Sequence, residues 1–175
     1  MRILLPICVA AASAFTISPA LANSIEAHDR LAHEIRRVGV TIHLNPKECF
    51  GADFEGYYRS ASSRMVICQD NGVPGSNQQA RWSVNDLDTL RHESHHVVQD
   101  CIGLTRGNNQ LGTIYAKPFA FAQQYFGTIT IDNIVAMYKG MGASPEAQVI
   151  EVEAFAVAEM NNPDRQVFDL RKYCL

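Results

Sequence analysis

His92-Glu93-Ser94-His95-His96 lies inside a stretch from Ser83 to Gly103, and reading that stretch as one helix decides the fold. Ser83 followed by Asp86 forms a capping pair at a helix start, with Asp in place of the usual Glu. Leu87, Leu90, Val97 and Val98 supply apolar positions, and Gly103 stands where a helix ends. Residues four apart share a helix face, so His92 and His96 can present two imidazoles to one ion. Glu93 sits one position along, where its carboxylate can reach a water on that ion without binding the ion itself. His95 leaves the helix about 100° from His96. It is expected on the flank, paired with water or a carbonyl.

Working outward, residues 24–38 carry Ile25, Leu31, Ile35 and Val38 at helical spacing, which predicts an amphipathic first helix. Residues 40–44 alternate as a strand, ended by Asn45-Pro46. Two further strands, 56–59 and 63–68, flank a Ser-rich turn, and 69–79 reads as a loop. Beyond the motif, Pro118 opens a helix expected to end near Gly127, and Asp132 caps a short one over 133–139. Ser144-Pro145 starts a longer helix through Met160, and 165–173 is helical again. This order predicts a small α+β domain with a short antiparallel sheet, several helices and the motif on a central helix.

Residues 1–22 read as a secretory leader, with Arg2, an apolar run from Leu4 to Ile17 and an A-x-A site at Ala20-Leu21-Ala22. The expectation is an exported protein, periplasmic or secreted, with no membrane span after cleavage and one domain over residues 23–175. The net charge is −3, and no basic cluster exceeds Arg36-Arg37 or Arg171-Lys172, so no nucleic-acid partner is expected. Cys49, Cys68, Cys101 and Cys174 remain after processing, an even count that argues for two disulfides in an exported chain. Of three connectivities, Cys49–Cys68 closes a predicted hairpin and Cys101–Cys174 ties the C-terminus to the motif helix. No C-x-x-C pair offers zinc a cysteine site.

Two histidines do not hold a catalytic zinc, which normally has three protein ligands. Glu151 and Glu153 stand amid apolar neighbours on the helix after Pro145, where a buried carboxylate is costly unless paired or bound to a cation. Residues two apart diverge, so at most one is a ligand. Histidine ligands need a partner on the other ring nitrogen, for which Asp88, Asp100 and Asn85 are candidates. A donor to a developing oxyanion could come from Tyr115, Tyr57 or Tyr58.

His92, Glu93 and His96, followed by a helix carrying E-x-x-A, resemble the gluzincin class of zinc metallopeptidases. That class takes its third ligand from a glutamate on a later helix. Glu151-Val152-Glu153-Ala154 matches with Glu151 as ligand and Ala158 as the second small residue. Phe155 departs from the Asp or Asn that would support a histidine. A shifted register, Glu153-Ala154-Phe155-Ala156, makes Glu153 the ligand; the first register is preferred. The resemblance implies a minimal zincin-like domain with one Zn2+, Glu93 as general base and a peptide or protein substrate. A strand within residues 57–68 would then offer an edge to an extended peptide. Two rival expectations are a non-catalytic zinc-binding protein on a degenerate scaffold and a disulfide-stapled interaction domain. The intact Glu93 favours catalysis, because a structural site does not need that carboxylate.

Overall fold

The computed structural model describes residues 19–103 and 106–175. Residues 1–18 of the expected leader lie outside the described residues. Among the described residues there are six α-helices and a three-stranded sheet, against which α1 and α2 pack: α1 Pro19–Arg37, β1 Thr41–Leu44, β2 Gly56–Arg59, β3 Arg64–Ile67, α2 Val84–Ile102, α3 Pro118–Ala122, α4 Thr128–Gly140, α5 Pro145–Glu159 and α6 Pro163–Cys174. The α+β class follows directly. Among the described residues no helix is long and apolar enough to cross a membrane.

The sheet corrects one expectation. It is mixed, in the order β1-β3-β2, with β2 antiparallel to β3 but β1 parallel to it. β3 takes the centre because Met65, Val66 and Ile67 are wholly buried, and a continuous apolar run suits a strand covered on both faces. β2 is left with one free edge.

Two helices are also revised. The segment opened by Pro118 makes little more than one helical turn, α3, and breaks into turns before Gly127. α4 starts at Thr128 behind Gly127, so Asp132 lies within the helix instead of capping it. α1 starts earlier than expected, at Pro19, and α6 at Pro163 instead of 165, while the starts of α2 and α5 hold. Ser83 accepts from the Asp86 N–H at 3.0 Å while Asp86 accepts from the Ser83 N–H at 2.8 Å. Ser144 caps α5, and Asn162 caps α6 ahead of Pro163.

One core joins α1, the sheet, α2 and α6 through Leu31, Ile35, Met65, Ile67, Leu90 and Leu170. A second joins α3, α4 and α5 through Phe121, Ile131, Ile134, Val152 and Val157. α2 and α5 pack together where the two cores meet. Both disulfides have the expected pairing. Cys49–Cys68 spans the β2–β3 pair, and Cys101–Cys174 fastens α6 to the end of α2. Gly56 lets α2 approach β2, since a Cβ there would collide with Thr89 Cγ2 and the Val66 carbonyl.

Candidate metal centre

α2 is unusual in being buried nearly all round while rich in polar residues: every residue from Thr89 to Asp100 is buried. A polar group out of water needs a partner, so each side chain of that run can be followed to its bond. Arg91 donates to the Ala158 carbonyl, to Asp88 and to His28. Asp100 accepts from the Tyr58 and Ser60 hydroxyls and the Gly107 N–H. Four buried atoms among the described residues are exceptions, and apart from Gln166 Oε1 on α6 they sit together. Glu93 Oε2, Glu151 Oε2 and His92 Nδ1 are buried with no hydrogen-bond partner among the described residues.

His92 and His96, one turn apart on α2, turn their Nε2 atoms toward Glu151 on α5. The two nitrogens are 3.1 Å apart, and Glu151 Oε2 lies 3.3 Å from each. Three donors bonded at zinc distances in a tetrahedral arrangement would be about 3.3 Å apart. The triangle therefore fits one face of a zinc coordination tetrahedron, and the donor set, two imidazoles and a carboxylate, is one zinc accepts. Among the described residues these three form the metal-competent group. α5 packs on α2, with Ala154 and Ala158 almost wholly buried along it, and Glu151 reaches across from there.

The local field favours a cation. Burial opposes charge on His96, yet Glu151, with Glu93 and Gln99, holds its imidazole up at about 9. Burial alone would raise the Glu151 carboxyl, but His96 and His92 keep it well below the usual carboxylate range. Glu93 is raised by burial against the pull of His92 and His96.

The structure brings Glu151 to the histidines and takes Glu153 elsewhere. Glu153 is wholly buried, accepting from His95 Nε2 at 2.8 Å, from the Gln99 amide and from the Ile114 and Tyr115 N–H groups. It is not a ligand. His95 is correspondingly not on a wet flank; it is sealed inside, bound to that carboxylate. The partner of His96 Nδ1 is Gln99 Oε1 at 2.7 Å. None of the three candidates fills that role: Asp88 pairs with Arg91, Asp100 with Tyr58 and Ser60, and Asn85 with Asp70. Phe155 stands against the His92 ring at 4.5 Å, so packing steadies that ring where a carboxylate was missing from the sequence.

Tyr115 is a second correction. Its ring stacks on Phe121 at 3.6 Å, and it serves Glu153 only through its backbone N–H. Tyr58 and Tyr57 have hydroxyls engaged by Asp100 and Arg64. The tyrosine facing the centre is Tyr138 of α4, whose hydroxyl is raised far above its ordinary value by burial and by the Glu151 and Glu93 carboxylates. The sequence marked it with nothing beyond an aromatic on a short helix.

A cleft lined by Gly56, Tyr57, His92, Glu93, Tyr138 and Glu151 opens over these groups. The free edge of β2 forms one wall of it.

No curated protein and no solved structure matches the chain. One family model, described as Domain of unknown function (DUF8637), matches residues 24–175.

Proposed function

We propose that this chain, which belongs to the DUF8637 family, is an exported zinc-dependent peptidase with His92, His96 and Glu151 as metal ligands. The observation that carries the reading is the triangle of ligand atoms with edges of 3.1 and 3.3 Å, beside the buried Glu93 Oε2 that lacks a hydrogen-bond partner. Two disulfides and a leader-like N-terminus support export. Zinc bound there supplies Lewis acidity, lowering the pKa of a coordinated water to about 7.

The chain's own residues do the rest. Glu93 Oε2, buried and without a partner, accepts the proton of the attacking water and returns it to the leaving amine nitrogen. Gln99 holds His96 with its Nε2 lone pair toward the ion. The Tyr138 hydroxyl donates to the scissile carbonyl oxygen as negative charge grows on it. The open edge of β2 aligns an extended peptide along the cleft by main-chain hydrogen bonds.

Metal analysis beside activity tests this. Protein purified without chelator should carry about one zinc per chain, as should Glu93→Gln, and only the wild type should cut reduced, alkylated casein. Zinc without cleavage leaves a zinc-binding protein, and absence of zinc removes the reading altogether.

A further inference from the structure

The cleft over the metal centre continues in two directions that differ in charge. Toward the C-terminal end of β2 it is lined by Tyr57, Arg59, Ser60 and Asn109. Toward the N-terminal end it deepens into a cavity of about 290 Å³ that shares Gly56, His92, Glu93 and Tyr138 with the centre. That is the scale of a single side chain, at the low end for ligand pockets.

The walls of this second cavity are of two kinds. Met137, Met141, Phe54 and Phe155 supply apolar surface, and the first three are exposed although large and hydrophobic. Asp53, Glu55 and Asp88 supply carboxylates. Asp88 is neutralised by Arg91. Asp53 and Glu55 have no ion-pair partner among the described residues; Glu55 accepts only the Thr89 hydroxyl, at 3.3 Å. At the inner end lies Glu93, 6 % exposed, whose Oε2 lacks a hydrogen-bond partner. The cavity thus combines greasy walls, acidic groups near its mouth and an unsatisfied carboxylate oxygen at its base.

A long side chain with an apolar stem and a cationic head has matching chemistry, since such chains bury the stem and keep the head among polar groups. We propose that this cavity is a specificity pocket for an ammonium or guanidinium group beside the scissile bond, with Asp53 and Glu55 as its recognition residues. The substrate class is polypeptide carrying Lys or Arg next to the cleaved bond, or presenting its α-amine there. The inference rests on the peptidase reading for its place in catalysis, but the cation preference itself is a binding property.

The test uses fluorescein-labelled octapeptides of alanine and norleucine with one central Lys, acetyl-lysine or norleucine, each with a free and an acetylated N-terminus. Binding is read by fluorescence anisotropy on the wild type in EDTA, which leaves the peptides uncut and Glu93 in place, and cleavage on the untreated wild type. The Lys peptide should bind about tenfold more tightly than its acetyl-lysine twin at low ionic strength. In Asp53→Asn/Glu55→Gln that ratio should fall to near one in both readouts. Preference confined to free N-termini would assign the cation to the α-amine. A tenfold binding ratio without cleavage of any peptide would leave the pocket standing and remove the peptidase. Equal binding of the Lys and acetyl-lysine peptides with either N-terminus, no binding of any peptide, or a ratio untouched by the double substitution would overturn the proposal.

Discussion

His96 Nδ1 lies 2.7 Å from Gln99 Oε1, and the remaining bonds of that amide settle which ring nitrogen carries the proton. Gln99 Nε2 donates to the Ile150 carbonyl and to Glu153, so Oε1 must be the acceptor. His96 therefore donates from Nδ1, which leaves Nε2 as the nitrogen a metal would take by displacing its proton. Gln99→Met removes the acceptor and frees the ring. Zinc affinity should fall about 10- to 100-fold, measured by competition with a chromophoric chelator.

Adjacent acids on α5 should give opposite phenotypes. On the proposed ligand set, Glu151→Gln should abolish stoichiometric zinc while the protein stays folded, because Glu151 is only partly buried and belongs to neither apolar core. Glu153→Ala strands His95, Gln99 and two backbone N–H groups in the interior. A loss of about 3 to 5 kcal/mol is expected in urea denaturation. Equal zinc loss in both, with equal stability, would contradict the assignment.

Tyr138→Phe should retain zinc and lose about 10²- to 10³-fold in kcat, with KM for a peptide substrate little changed. Tyr115→Phe should leave kcat within about twofold, since Tyr115 reaches Glu153 through its main chain alone.

His28 sets an acid limit on stability. It is 2 % exposed; Nδ1 donates to the Ser24 carbonyl at 2.6 Å, and Nε2 accepts from Arg91 at 2.7 Å. Burial, with Arg91 alongside, lowers its pKa below 6.5. A histidine whose folded pKa is depressed is protonated more readily unfolded, so stability is full above 6.5 and drains as pH falls below it. In chelator, where metal binding does not enter, the urea midpoint should drop from pH 7.5 to 5.5 more steeply in the wild type than in His28→Gln.

What the sequence made legible was local. The capping pair at Ser83 and Asp86, the four-residue spacing of His92 and His96, and the start at Ser144-Pro145 are short-range facts written within a few residues. The parallel pairing of β1 with β3 was not, because a Ser-rich turn between two strands says nothing of the strand that comes to the far side. The competition between Glu151 and Glu153 was likewise open in sequence. Both fit a loose motif, and only the rotation of α5 against α2 decides which one faces the histidines. Tyr138 arrives from a helix with no motif, and Gln99, three residues past His96, carries no mark in sequence, since only the packed rotamer brings its Oε1 to His96 Nδ1. His95 was misread for a simple reason: a helix in this position is expected to have a wet side, and α2 has almost none.

The Cys101–Cys174 bridge joins α6 to the very helix that carries the motif, and the apolar cores lie to either side of the ligands. Such a scaffold stands on its cores and its bridge, with no ion needed to hold it. On the zinc reading proposed above, a molecule stripped by a scavenger in a zinc-poor surrounding would persist as a dormant but intact vessel, ready to be recharged without refolding.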